Sequence, residues 1–129
     1  MRQIRLLLVD DAADFRASAA DFLARDPRVV VAGQAANGAT GLRLAESLHP
    51  DLVLMDLAMP GMNGLEATHR LKESASPPVV HIVSIQDDAV VRGRAADVGA
   101  DGFIPKLDFS EGVAAAIDAW FAARGSAAP

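Results

Sequence analysis

The sequence predicts an α/β domain: an open, doubly wound parallel sheet of five strands with five helices. Three observations lead there. Five short apolar runs alternate with stretches of helical periodicity. The runs are nearly continuous in Val, Ile and Leu, as strands covered on both faces must be. Strand and helix segments alternate along the chain, an order that gives a parallel sheet with right-handed crossovers.

Each element has its own signal. Ile4–Val9 is the first strand, Val29–Ala35 the second, Leu52–Met55 the third, Val79–Ser84 the fourth and Gly102–Ile104 the fifth. Phe15, Ala19, Phe22 and Leu23 recur at helical spacing, so the first helix should bury that face. Asn37 is placed to cap a second helix reaching about Leu48, with Pro50 ending it. A third helix runs from Gly64 to Lys72 before the breaker Ser76-Pro77-Pro78. A fourth spans Asp87 to Val98, its early carboxylates complementing the helix dipole and Gly99 stopping it. Ser110 is expected to cap a fifth from Glu111 to about Ala123. Residues 1–124 then form one domain, and 125–129 read as a flexible tail or the start of a linker.

Composition narrows the function. The chain of 129 residues fits one domain with a real core. It has no cysteine, which excludes disulfides and thiolate metal sites and suits a cytoplasmic protein. No apolar run approaches a membrane span, and no signal-peptide layout is present. A net charge of −5 with no Lys/Arg stripe argues against direct nucleic-acid or membrane binding. His49, His69 and His81 lack metal-ligand spacing. The GxxxxGK[ST] motif of P-loop NTPases is absent.

In doubly wound sheets ligands bind at the carboxyl ends of the strands. Those ends carry Asp10 and Asp11, Asp56, Ser84 and Lys106. Three close carboxylates repel one another, and Mg²⁺, an oxygen-seeking cation, offsets that repulsion. An aspartate oxygen can attack phosphorus to give an acyl phosphate. The transferring phosphoryl oxygens then need a cation and hydrogen-bond donors, which Lys106 and Ser84 offer.

The motifs LLLVDD (6–11), LVLMDLAMPGMNG (52–64), HIVS (81–84) and GADGFIPK (99–106) together resemble the receiver domains of two-component response regulators, from Ile4 to about Arg124. The resemblance implies a flavodoxin-like strand order 2-1-3-4-5. It implies that Asp56 is the phosphoacceptor, supplied by a histidine kinase or phosphotransfer protein. Asp11 and Asp56 would bind Mg²⁺ directly (Mn²⁺ substituting), Asp10 through water, with the backbone carbonyl of Ala58 completing the set. Ser84 and Lys106 would hold the phosphoryl group, and Phe103 matches the aromatic switch position. Pro60 and Gly64 match the turn that shapes the loop after Asp56, and Ala58 and Gln86 flank the phosphoryl site. The GFIPK segment is most similar to receivers of helix-turn-helix transcription factors. That implies control of transcription through an output domain outside this chain, and a homodimer through the face of the fourth helix, fifth strand and fifth helix. A receiver assists its own phosphotransfer and is not a metabolic enzyme.

Two positions depart from the family. Leu107 stands where proline often follows the lysine, so a cis bond is not expected there. Ile85 stands where a small residue is common, and is expected to narrow the mouth of the site. Plainer readings also exist. Asp10 and Asp11 suit a helix cap, Asp56 a turn, and Ser84 backbone hydrogen bonding. Lys106 could be a solvated loop residue, and Phe103 static core. Of Trp120 and Phe121, one is expected to pack in the core, and the other is undecided between core packing and a partner surface. Two other functions compete: a phosphorylation-independent interaction module, and an Asp-nucleophile phosphatase. The phosphatase would want a second Asp where Ala58 stands.

Overall fold

The computed structural model describes residues 2–125. In order these are β1 (Ile4–Val9), α1 (Ala13–Leu23), β2 (Val29–Ala35), α2 (Gly38–Leu48), β3 (Leu52–Asp56), α3 (Gly64–Lys72), β4 (Val79–Ser84), α4 (Ala89–Asp97), β5 (Gly102–Pro105), a single 3₁₀ turn (Lys106–Asp108) and α5 (Phe109–Ala123). The strands form one parallel sheet in the order β2-β1-β3-β4-β5.

The twofold alternation of strand side chains divides the core into two layers. Ile4, Leu6 and Leu8 of β1 point to the side covered by α1 and α5, where they meet Leu23, Phe109, Val113, Ile117 and Trp120. Leu7 and Val9 point the other way, toward Ala45 of α2, Ala67 and Leu71 of α3, and Ala95 of α4. Both faces are dry, which is why β1 could not alternate polar and apolar residues. Each fully buried Leu stabilises the fold by roughly 1.5–3 kcal/mol. Trp120 and Phe121 are both buried, so the fifth helix offers neither ring to solvent.

Local chemistry sets the ends of the helices. Asn37 accepts the Thr40 N–H at 2.9 Å and caps α2. That helix closes at His49, in the left-handed region at φ 48°, ahead of Pro50. The Arg5 guanidinium binds the Leu48 and His49 carbonyls that the helix end leaves unpaired. Asn63 caps α3 through the Glu66 N–H at 3.0 Å. The fourth helix starts later than the sequence suggested: Asp88 is its cap, accepting the Val91 N–H at 2.9 Å, while Asp87 turns to Arg92 at 2.6 Å. Gly99, at φ 90°, follows its end.

The expected cap at Ser110 is corrected. It lies inside α5, and the helix begins at Phe109 with no side-chain cap. The 3₁₀ turn has already curled the backbone, and the Phe109 N–H bonds to the Lys106 carbonyl, so no capping side chain is required there. Two strands run slightly past their expected ends, β3 to Asp56 and β5 to Pro105. Pro105 sits on the edge strand, where a missing N–H costs no ladder bond. The described residues contain no cis peptide bond. Of the expected tail, 126–129 lie outside the described residues. No described helix is long and apolar enough to cross a membrane.

Candidate functional site

Parallel register brings the strand ends to one level. Val9 pairs with Met55, Asp56 with Val83, and Ser84 with Pro105. Asp10 and Asp11 follow β1, Asp56 ends β3, Ser84 ends β4 and Lys106 follows β5, so all five lie along one edge. Asp10, Asp11 and Asp56 offer carboxylate oxygens within 4.8 Å of one another. Among the described residues no other His, Asp or Glu group converges in this way.

Asp10 and Asp56 are buried, at 3% and 6% exposure, and Asp11 is open to solvent. Asp10 does not cap α1; its Oδ1 accepts the Ala12 N–H at 2.8 Å in a tight turn, and the helix has no side-chain cap. Its carbonyl takes the Arg16 guanidinium at 2.5 Å. Lys106 Nζ is 2.8 Å from Asp10 Oδ2 and 3.6 Å from Asp56 Oδ1. The contact with Asp10 is an ion pair without the alignment of a hydrogen bond, so Oδ2 is buried with no directed donor. Lys106 is therefore drawn in among the carboxylates, not solvated. The same Nζ stands 4.4 Å from the centre of the Phe15 ring.

These surroundings act on Asp56. Burial first, and then the charge of Asp10, push its carboxyl up to about 6, while Lys106 pulls the other way. One ammonium faces three carboxylates, leaving an excess of negative charge. The donor set, all hard oxygens with two of the carboxylates buried, fits a divalent cation such as Mg²⁺.

The loop after Asp56 is fixed by close approach. Gly64 N–H bonds the Leu57 carbonyl at 3.0 Å. A Cβ on Gly64 would stand 2.0 Å from the carbonyl oxygen of Asp56 itself. Gly61, at φ 75°, makes the turn after Pro60. Ala58 is exposed and shares with Gln86 an open groove of about 680 Å³ beside the site.

Ser84 is buried, and its Oγ accepts the Gln86 N–H at 2.9 Å. The hydroxyl thus satisfies backbone, as the plainer reading had it, yet its proton is not used by that bond. This turn sends the intervening Ile85 outward. Ile85 is 81% exposed, so its side chain is not packed into the core. Leu107 is likewise out in solvent, at 94%. Phe103 is half-buried on β5, with the Arg92 guanidinium 4.6 Å above its ring.

Residues 6–117 match the family model described as the response regulator receiver domain. The chain belongs to this family. It is 44% identical over 103 residues to the nitrate/nitrite response regulator NarL of Escherichia coli K12, covering 78% of this chain and 47% of that protein. It is 39% identical over 117 residues to the transcriptional regulatory protein LiaR of Bacillus subtilis, covering 90% and 55%. The receiver thus spans about half the length of these relatives. Among solved structures, a two-component response regulator of the LuxR family from Aurantimonas superposes with a TM-score of 0.87 at 29% identity, covering 94% of this chain and 86% of that one.

Two residues of the receiver's site were not singled out in the sequence, Phe15 and Arg16. Phe15 was legible only as part of the apolar face of α1. The α1 periodicity predicts which side faces inward, but not that a lysine from beyond β5 will lie against the ring.

Proposed function

We propose that this receiver accepts a phosphoryl group on Asp56 from a histidine kinase or phosphotransfer protein. In the transfer, an Asp56 oxygen bonds phosphorus while the donor's P–N bond breaks and its imidazole leaves with the electron pair. The observation that carries this reading is the meeting of Asp10, Asp11, Asp56 and Lys106 at one strand edge. A group that titrates near 6 is mostly ionised at neutral pH, so Asp56 is ready to attack. Lys106 offsets charge on the phosphoryl oxygens, and the Ser84 hydroxyl can turn its proton toward them.

Asp10, Asp11, Asp56 and the backbone carbonyl of Ala58 would hold Mg²⁺, with Mn²⁺ as a substitute. When bound, the ion supplies the positive charge that the three carboxylates and a phosphoryl group together require. Movement of Ser84 toward the phosphoryl group would be read by Phe103 and carried to the face of α4, β5 and α5, where a homodimer could form. Residues 1–124 are taken as the switching module and 125–129 as linker, leading to a transcriptional output domain of the kind the LiaR name implies. Its place of action would be the cytoplasm, with no direct contact to nucleic acid or membrane by this module.

The test is intact mass after incubation with Mg²⁺ and either acetyl phosphate or a phosphorylated histidine kinase. The expected result is one added phosphoryl group that requires Mg²⁺ and is lost in Asp56→Asn or with a chelator. No addition from either donor would favour a phosphorylation-independent interaction module.

A further inference from the structure

Lys106 has three neighbours, and they differ in what phosphorylation does to them. Asp10 and Asp56 hold the ammonium by charge, at 2.8 and 3.6 Å. Both also belong to the carboxylate group that would take a metal ion, and Asp56 would carry the phosphoryl group. Their hold on Lys106 therefore weakens at the moment the ammonium is needed. The third neighbour is the Phe15 ring, 4.4 Å from Nζ. A ring face attracts a cation through its quadrupole and offers no lone pair to a metal, so this contact does not compete with the carboxylates' other partners.

The ring is also held. Phe15 meets the buried Phe109 edge to face, with centroids 5.2 Å apart and planes at 80°. Phe109 in turn meets Phe22 at 6.3 Å. Phe109 begins α5 and Lys106 begins the 3₁₀ turn just before it, so the same short segment supplies both the cation and the support behind the ring. Lys106 is itself only 15% exposed, a setting in which cation–π attraction is stronger than at an open surface.

We propose that Phe15 is a positioning residue for phosphotransfer, its ring face keeping the Lys106 ammonium at the phosphoryl site while the carboxylates are engaged elsewhere. The proposal rests on Asp56 being the phosphoacceptor. It separates an electrostatic role from plain packing, because an apolar side chain of the same shape would fill the space without attracting the cation.

The experiment replaces Phe15, by site-specific incorporation, with mono-, di- and trifluorinated phenylalanine. Shape is nearly kept and the ring's negative face is progressively removed. Acetyl phosphate with Mg²⁺ is the donor: the Asp56–phosphorus bond forms as the acetyl oxygen–phosphorus bond breaks and acetate leaves. The rate should fall stepwise along the series, by about five- to tenfold at the trifluorinated ring. Calorimetric Mg²⁺ affinity and the melting temperature should not fall with it. A rate that stays flat, or that falls only in step with melting temperature, would overturn the proposal.

A second measurement needs no phosphorylation. In metal-free protein, denaturant unfolding of Phe15→Leu, Lys106→Met and the double variant should be clearly non-additive, because the two side chains touch. Additive effects would count against the contact. If the wild-type protein takes no phosphoryl group, the phosphoacceptor reading fails and this proposal falls with it. A non-additive cycle would then mark a structural contact alone.

Discussion

Asp56 is buried beside charges of its own sign, and that has a measurable cost. Its carboxyl titrates at about 6 in the fold against an ordinary 3.8. A raised acid favours folding below its ordinary value, and that stability is lost as pH rises through about 6. The shift corresponds to on the order of 3 kcal/mol between the two limits. Metal-free Asp56→Asn should therefore be more stable than wild type at pH 7.5, with the gap closing below pH 4, as read by urea unfolding across pH. Mg²⁺ should remove most of the difference at pH 7.5. Gly64 is constrained by distance. Since a Cβ there would come 2.0 Å from the Asp56 carbonyl oxygen, Gly64→Ala must displace the loop or the strand end. Its unfolding free energy should drop by about 2 kcal/mol or more, with weakened Mg²⁺ binding in the same sample. The convergence of Asp10, Asp11, Asp56, Ser84 and Lys106 was legible in the sequence because parallel strands send their carboxyl ends to one edge. The outward turn of Ile85 was not, because it depends on one backbone hydrogen bond to Ser84 Oγ.

At the scale of elements, the strands were legible nearly to the residue, since a strand buried on both faces is an unbroken apolar run. Helix starts were legible where an Asn stands alone before a helical pattern, as at Asn37; Asn63, which caps α3, carries the same signal but was not read as a cap. They were less so where two candidates compete. Asp87 and Asp88 are chemically alike, and only the nearby Arg92 decides that Asp87 forms an ion pair while Asp88 caps. Ser110 failed because the turn over Lys106–Asp108 feeds directly into α5. A paired substitution checks this difference. Asp88→Ala should cost about 1 kcal/mol of stability, and Ser110→Ala should stay within about 0.5 kcal/mol of wild type. Equal losses in chemical denaturation would mean that the caps are misassigned.

The whole molecule has two ends of different character, and a half-buried histidine sits between them. His81, in β4, is held below its ordinary 6.5 by burial, with Asp101 opposing, and its Nδ1 is buried without a hydrogen-bond partner. A depressed imidazole stays neutral in the fold while the unfolded chain takes up a proton. Stability is therefore lost as pH falls below 6.5, opposite in sign to Asp56. Replacing His81 with Gln should flatten the decline below pH 6.5 in thermal melts, leaving the Asp56 trend exposed. The amino ends of the strands are tied by other carboxylates: Asp51 accepts the Arg5 N–H at 2.8 Å, and Asp101 accepts the Val80 N–H at 2.8 Å. The connection from α3 to β4 lies at this rear end, exposed from Glu73 to Pro77. Doubling a flexible loop costs only about 0.6 kcal/mol in closure entropy. Extra residues spliced in after Ala75 should leave the carboxylate edge intact, whereas any lengthening between Asp56 and Gly64 would pull it apart. The parallel sheet thus gives the molecule a rear side where it can be tagged, enlarged or fused, and a front side whose loop lengths are fixed by the distance between one carbonyl and one glycine.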